Sequence, residues 1–373
     1  MGIYEELGVP RVINAMGTYT IYGGSKMSRQ TIQDMGDAAS SFIDLDLLQK
    51  KAGEAIARLT KNEAAYICNG AAAGIYLGLL AAVALHRGKK IRYLTRQDFR
   101  CSEVIVFRSH RSPYDIVLEQ LGVPVVELAY SNHTLISPEE DIEAVISDRT
   151  AAIYFLESGW VAPGAPSLKL TASVAKKHRI PVILDAAAML PPADNLWNFT
   201  KAGASLAVFS GGKDLCGPQA SGLIVGQKGL IGLLLESAFP KHGYGRFLKV
   251  GKEEIVGLYS ALCQYLSADL GSRIQDAESQ VASACQLLNG HPCYLAARSY
   301  PNEAGQPIPR VLVTVCHVQM DEHKILKYLS ALTPPVIAAA AGKQSFYLNP
   351  MTLTKAEMEW VCHQLLQFPF PQQ

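Results

Sequence analysis

Short apolar runs rich in β-branched residues alternate with helical stretches through the middle of the chain. The runs are Val104–Phe107, Val123–Leu128, Ala152–Leu156, Pro181–Leu184 and Leu206–Phe209. Continuous apolar strands separated by helices predict a parallel or mostly parallel sheet covered on both faces. The long apolar stretch Ala71 to Leu85 is too short to span a bilayer comfortably and is rich in Ala and Gly, so it predicts a buried helix. The last third reads differently. Ala261 to Leu288 predicts helix, Pro309–Val315 and Gln344–Leu348 predict strands, and Thr354 with Glu357 three residues on forms a capping box for a closing helix. That helix is amphipathic through Met358, Trp360, Val361, Leu365 and Leu366, and the tail from Phe368 to Gln373 is expected to be irregular. The expected organisation is a large α/β domain over residues 1–250 and a smaller C-terminal α/β domain over 251–373, with the boundary in the stretch 245–260.

At 373 residues the chain is longer than one small core requires, which agrees with two domains. Lys+Arg number 34 against 33 Asp+Glu, so the net charge is +1 and there is no general attraction for nucleic acid or anionic membrane. The eight cysteines include no Cys-x-x-Cys pair. Scattered cysteines in a long chain predict a reducing, cytoplasmic setting rather than a disulfide framework, and no metal site. The N-terminus lacks a basic segment followed by an apolar run, and Glu6 stands where myristoylation would need Ser or Thr, so neither a secretory leader nor a lipid anchor is expected.

In an open α/β sheet the ligand groups lie just beyond the C-terminal ends of the strands. Four such ends carry unusual groups. Asn69-Gly70-Ala71-Ala72-Ala73 reads as a small-residue turn opening a helix, where free N–H groups suit a phosphate. His110 follows a strand and is placed to stack on an aromatic cofactor ring. Asp185 follows four apolar residues, and a carboxylate there needs a partner. A pyridinium nitrogen is one such partner, with Ala187 alongside. Lys213 follows an apolar strand and two glycines, with Ser210 before it and Gln219 after it. A partly desolvated lysine forms an imine with an aldehyde, and Ser210 suits the cofactor phosphate. Taken singly, each group also fits an ordinary turn, surface histidine, structural acid or loop lysine. Their order, with 28 residues between Asp185 and Lys213, is that of pyridoxal 5′-phosphate (PLP) enzymes of fold type I, the aspartate-aminotransferase-like fold.

The stretches Tyr4–Thr18, Asn69–Ala73, His110–Asp115, Leu184–Pro192, Ser210–Gln219 and Lys249–Gly257, in this order, resemble the selenocysteine-synthase-like PLP proteins. That family holds bacterial L-seryl-tRNA selenium transferase and shorter members of the D-glucosaminate-6-phosphate ammonia-lyase type. The resemblance implies a Schiff base at Lys213, Asp185 at the ring nitrogen, and a homo-oligomer with shared active sites. It places the basic residues Arg246, Lys249 and Lys252 at a substrate anion, and Asn14 and Thr18 on a loop that reaches the substrate together with Gly23, Gly24 and Ser25. One departure stands out. The segment Ser345 to Pro350 has no Arg to hold a substrate carboxylate, so the anion is expected to be gripped by Arg11, Arg111 or Arg246.

The expected reaction is α,β-elimination with loss of ammonia from a small anionic amine: an amino-sugar acid, phosphorylated or not, or a hydroxy amino acid. Selenium-transferase-like β-replacement on seryl-tRNA is the alternative. The near-zero net charge and the start of the chain directly at the catalytic motif argue against it, and no nucleic-acid partner is expected. Racemisation and aldol cleavage begin from related chemistry. A PLP-binding scaffold without turnover would need neither Lys213 nor Asp185.

Overall fold

The computed structural model describes residues 2–159, 161 and 164–371. The chain starts with a short helix, Ile3–Glu6, and a two-residue strand β1, Ile13–Asn14. Seven strands then build the central sheet: β2 (Ala64–Cys68), β3 (Glu103–Phe107), β4 (Val125–Leu128), β5 (Thr150–Leu156), β6 (Val182–Asp185), β7 (Leu206–Ser210) and β8 (Gly222–Gly226). Five more follow: β9 (Tyr294–Ser299), β10 (Arg310–Val315), β11 (Val336–Ile337), β12 (Ala339–Ala340) and β13 (Ser345–Leu348).

The chain divides into two compact units, one of residues 27–268 and one of residues 1–26 with 269–373. In the larger unit the strand order is β2-β8-β7-β6-β5-β3-β4. The pairs β7–β6, β6–β5, β5–β3 and β3–β4 are parallel. β8 is antiparallel to both β2 and β7, so β2 runs with the other strands and β8 alone is reversed. The sheet is mostly parallel, as its apolar runs predict, and β3, β5 and β8 are buried along their whole length. The expected buried helix is Ala71–His86, with every residue from Ala73 to Ala84 inside. Two glycines let it press on the sheet. A Cβ at Gly74 would stand 2.5 Å from Val208 Cγ1, and one at Gly78 would stand 3.1 Å from Ile183 Cγ2. A helix buried all round has no polar face to keep, and its contacts place it in the main core with Val106, Tyr154 and Ile224.

In the smaller unit β12-β13-β10-β9 form an antiparallel sheet, and β1 pairs with β11 in parallel. Along β10, Val311, Val313 and Val315 enter a core shared with Phe346, Leu348, Val281, Ile325, Val361 and Leu365. The alternate residues stay off that core, which is the period-two pattern of a one-sided sheet. The closing helix, Lys355–Leu366, starts with the expected reciprocal cap. The Glu357 N–H donates to Thr354 Oγ1 at 3.2 Å and the Thr354 N–H donates to Glu357 Oε2 at 2.7 Å. Phe368 to Pro371 is irregular, while residues 372–373 of the expected tail lie outside the described residues.

Two boundaries differ from the sequence reading. The single helix expected over 261–288 is two, Lys252–Ser267 and Leu270–Leu288, because Asp269 caps the second by accepting from the Ser272 N–H at 3.0 Å. The division into units follows this break rather than residue 250. Helix Lys252–Ser267 stays with the larger unit because it packs on helix Arg29–Ala39. There Ser260 Oγ donates to Asp34 Oδ2 at 2.5 Å and Gln264 Nε2 donates to Thr31 Oγ1 at 2.9 Å. Residues 1–26 join the smaller unit through the pairing of Ile13 and Asn14 with Val336 and Ile337. No helix among the described residues is long and apolar enough to cross a membrane.

Candidate active site

Because β2, β3, β5, β6 and β7 run the same way, their C-terminal ends emerge along one edge of the sheet. Asn69 and Gly70, His110, Glu157, Asp185 and Ser210 all stand there, with Lys213 just beyond β7. The sheet therefore gathers along one edge the groups that the sequence scatters over 145 positions, from 69 to 213.

Asp185 is buried at 6 % exposure. Tyr154 Oη donates to its Oδ2 at 3.2 Å and the Ala187 N–H donates to its Oδ1 at 3.0 Å. Burial pushes the carboxyl above its usual range, and the Ala187 N–H, the positive charge of Lys213 and the Tyr154 hydroxyl oppose the rise. A carboxylate held by two donors and a nearby ammonium is prepared for one cationic or protonated ligand atom, and it is too costly to keep there for packing alone.

Lys213 is half-buried on a turn that closes on itself. The Gly211 N–H donates to the Ser221 carbonyl at 2.9 Å, the Gly217 N–H to the Gly211 carbonyl at 2.8 Å and the Cys216 N–H to the Lys213 carbonyl at 2.9 Å. A Cβ at Gly211 would lie 2.1 Å from Ser221 Oγ, and one at Gly212 would lie 2.5 Å from Gln219 Oε1. The two glycines are what lets this turn fold tightly, and the same contact brings Gln219 beside Gly212. Ser210 is joined to the neighbouring strand end by its N–H, which donates to the Ala187 carbonyl at 3.4 Å.

His110 is 2 % exposed and touches Phe155 and Phe107 edge-on, with ring centroids 4.5 and 5.2 Å away. Its Nδ1 accepts from the Leu156 N–H at 3.2 Å, which leaves the ring proton on Nε2. Burial lowers its pKa to about 4, so the ring is neutral at physiological pH and suited to flat contact with an aromatic system.

At β2 the chain turns at Gly70 with φ +104°, a conformation that favours glycine, and enters helix Ala71–His86 with no side-chain cap at that end. A Cβ on Gly222 would be 2.5 Å from the Gly70 carbonyl carbon and 3.0 Å from the Ala71 nitrogen. The Gly70–Ala71 peptide is thus seated against the first residue of β8. The helix's first N–H groups, at Ala71 and the exposed Ala72, are offered to an anion rather than to a capping side chain.

Three polar atoms on this edge, Asn69 Oδ1, Ser109 Oγ and Ser158 Oγ, are buried with no hydrogen-bond partner among the described residues. Buried polar groups are ordinarily bonded, so orphans gathered at one set of strand ends fit a polar ligand in contact with them. The donor set as a whole fits PLP: an acid for a ring nitrogen, a neutral imidazole, an amine, and an uncapped helix start for a phosphate.

Three residues of this edge escaped the sequence reading. Tyr154 sits inside an apolar run, and its partner lies on another strand. Glu157 follows a buried strand just as Asp185 does, so the same desolvation argument would have found it. Burial pushes its carboxyl above the usual range, and its N–H donates to the Asp185 carbonyl at 2.9 Å. Ser158 gave no signal beyond its place near a strand end.

The proposed anion-binding residues do not form one group. Lys252 is corrected outright: its ammonium donates to the carbonyls of Ala38 at 2.6 Å, Ala39 at 2.8 Å and Ser41 at 2.7 Å. All three of its donors are engaged at the end of helix Arg29–Ala39, so it is a helix cap rather than an anion ligand. Arg111 is held by Asp115 and Glu127. That pairing satisfies its charge and removes the reason to assign it a substrate anion. Nor do the basic residues share one helical face, since the helix begins only at Lys252 and Arg246 and Lys249 precede it. Arg246 is half-buried with its guanidinium 4.9 Å from the Phe239 ring centroid, and Lys249 is exposed. In the smaller unit, Asn14 organises its own turn: its Nδ2 donates to the Gly17 carbonyl at 2.9 Å and its Oδ1 accepts from the Met16 N–H at 2.9 Å. Thr18 is half-buried just beyond that turn, and Arg11 is exposed.

Residues 12–276 match the family described as L-seryl-tRNA selenium transferase. The chain is 32% identical over 374 residues to D-glucosaminate-6-phosphate ammonia lyase of Salmonella typhimurium (strain 14028s / SGSC 2262), covering 97% of this chain and 96% of that one. It is 31% identical over 320 residues to the 5'-C-glycyluridine monooxygenase-decarboxylase of a Streptomyces species, covering 84% and 77%. A solved structure of a D-glucosaminate-6-phosphate ammonia-lyase superposes with a TM-score of 0.82 at 27% identity over 98% of both chains. The α/β architecture is that of the aspartate-aminotransferase-like fold type I, whose cofactor is PLP. On the match across most of its length, the chain belongs to the L-seryl-tRNA selenium transferase family of PLP-dependent proteins.

Proposed function

We propose that the chain is a PLP-dependent ammonia lyase acting on a small anionic amine of the amino-sugar-acid class, D-glucosaminate 6-phosphate or a close analogue. The observation that carries the reading is Asp185: a buried carboxylate held by Tyr154 and Ala187, with the charge of Lys213 nearby. The full-length likeness to an ammonia lyase supports the substrate class.

In this reading Lys213 would hold the cofactor aldehyde covalently and Asp185 would pair with the ring nitrogen. His110 would offer the ring a neutral imidazole. The N–H groups of Gly70, Ala71 and Ala72, with Ser210, would hold the phosphate, and Ala187 and Gln219 would complete the cofactor's surroundings. When bound, the cofactor supplies an electron-accepting ring that stabilises negative charge at the substrate's α-carbon. Asp185 keeps the ring nitrogen protonated. The Lys213 amine, once free, takes the proton from the α-carbon. Loss of the β-substituent with its electron pair, followed by hydrolytic release of ammonia, leaves a keto acid. Arg11, Arg246 and Lys249 are the candidate basic residues left to receive the substrate's anionic group, once Lys252 and Arg111 are assigned to structure. The protein works as a homo-oligomer.

The test is the visible spectrum of the purified protein before and after borohydride, beside Lys213→Ala, followed by ammonia release from D-glucosaminate 6-phosphate. An absorbance band that borohydride removes, with the cofactor then trapped on Lys213, is expected in the wild type and absent from the variant. Ammonia and keto acid are expected in equal amounts, whereas racemisation would return the amine and a scaffold would release nothing. A protein that stays colourless after incubation with PLP overturns the cofactor assignment. A coloured protein that forms no keto acid from any amino-sugar acid overturns the lyase assignment.

A further inference from the structure

The opposite edge of the same sheet carries a groove of about 800 Å³. Its floor is made by the start of β6 at Val182, the residue before β7, Ser205, and the end of the reversed strand β8 at Gly226. It lies wholly within the larger unit and at the far ends of the strands that present Asp185 and Ser210. Its wall carries five cationic side chains, Lys61, Lys169, Lys176, Arg179 and Lys201, all exposed. None of the five has a carboxylate partner among the described residues. The one acid in the wall, Glu63, accepts at Oε2 from the Lys228 N–H at 3.0 Å where helix Lys228–Ser237 begins, and it offsets only one of the five positive charges.

Helix dipoles explain part of this charge. Lys176 and Lys201 lie in the last turns of helices Leu168–Lys177 and Asn195–Lys201, where a cation is favoured. Lys61 and Arg179 follow helix ends in left-handed conformations, with φ +54° and +59°. Lys169 cannot be explained that way. It is the second residue of helix Leu168–Lys177, the end where a cation is disfavoured. Lys169, Ala172, Ser173 and Lys176 follow the i, i+3, i+4, i+7 spacing, so two like charges stand on the one helical face that lines the groove. Five cations against one carboxylate leave the groove with a net positive charge, which a bound polyanion would offset. The apolar part of the wall, Leu85, Ile180 and Pro181, gives a carbon-bearing ligand something to lie on. The volume is that of an ordinary small-molecule site.

We propose that this groove is a second, non-catalytic binding site for a small polyanion carrying a phosphate chain, of nucleoside-triphosphate size. Lys169, Lys176 and Lys201 contact the chain. The proposal does not depend on the lyase reading, because it is read by binding rather than by turnover.

The experiment is calorimetric titration of the PLP-loaded protein at low salt with adenosine triphosphate, tripolyphosphate and adenosine. Adenosine triphosphate is expected to bind once per chain, and adenosine alone not to bind. Tighter binding of the nucleotide than of tripolyphosphate assigns the groove to nucleotides, and equal binding assigns it to the inorganic chain. In Lys176→Glu/Lys201→Glu the affinity is expected to fall by about tenfold or more, while the cofactor's visible spectrum and the thermal midpoint show that the variant is folded and loaded. A second measurement needs no variant: acetylation of Lys169, Lys176 and Lys201 in the wild type is expected to slow when adenosine triphosphate is present. The absence of saturable binding up to millimolar nucleotide, an unchanged affinity in the folded double variant, or unprotected lysines would each overturn the proposal.

Discussion

The strand ends of the larger unit and the basic segment from Arg246 to Lys252 were both singled out as functional, and the structure treats them differently. At the strand ends, residues far apart in sequence converge on one edge. In the basic segment, residues three apart diverge: Arg246 lies on an aromatic ring, Lys249 is exposed, and Lys252 caps a helix. The difference is one of cost. A carboxylate or imidazole left in a desolvated strand end is expensive, and its position is fixed by the sheet, so its presence points to a ligand. A lysine on a connecting segment costs almost nothing and its long stem reaches many partners, so its position in sequence says little about what it holds.

The largest expected effect falls on the first region. Asp185→Asn keeps the size of the side chain and removes the charge. If Asp185 governs the ring nitrogen, kcat for ammonia release should fall by about 10² to 10³ while the cofactor remains bound. Tyr154→Phe, which removes one of the two donors to Asp185, should lower kcat by about tenfold. Steady-state kinetics on PLP-saturated protein separate the two. A variant Asp185→Asn with wild-type kcat would place the residue among structural acids and dissolve the contrast between the regions.

His110 sharpens the same comparison through pH. Its folded pKa is about 4, below its ordinary value of 6.5, because the ring is buried beside Phe155 and Phe107. The unfolded chain therefore binds the proton more readily. The stability from a neutral His110 is complete above pH 6.5 and is lost as pH falls through about 4, a loss of about 3 kcal/mol. Urea unfolding of wild type and His110→Gln between pH 7 and 4 measures it. The wild type should lose more of its midpoint over this range than the variant, and parallel curves would mean that the histidine is not buried neutral.

The sequence revealed what the sheet dictates locally. A parallel sheet covered on both faces makes its strands continuously apolar, so a polar residue that ends one, such as Asp185, is conspicuous. The two glycines before Lys213 mark a tight turn for the same local reason. What stayed hidden is non-local. Tyr154 matters through a hydrogen bond to another strand, and no periodicity encodes that. Glu157 was legible by the desolvation argument used for Asp185. Residues 1–26 join the C-terminal part because Ile13 pairs with Val336, a contact between the two ends of the chain that local patterning cannot show. Lys252 looked like part of a basic cluster because its three carbonyl partners lie more than 200 residues earlier.

Lys252 and Lys249 give the smallest effects and the cleanest separation of roles. Lys252→Met keeps the apolar stem and removes three donors from the carbonyls of Ala38, Ala39 and Ser41. Those carbonyls end helix Arg29–Ala39, and water can reach them in part, so the expected loss is about 1 kcal/mol rather than the full cost of three buried bonds. It should appear as a lower thermal midpoint with KM unchanged. Lys249→Met should do the reverse. The side chain is exposed and has no ion-pair partner among the described residues, so the midpoint should hold. If Lys249 meets the substrate's anion, KM should rise by about tenfold with kcat preserved, the pattern of lost uniform binding. Should Lys252→Met raise KM while Lys249→Met does not, the family-like clustering of these residues would outrank the geometry, and the anion would have to be reassigned to a lysine that leaves its cap when substrate arrives.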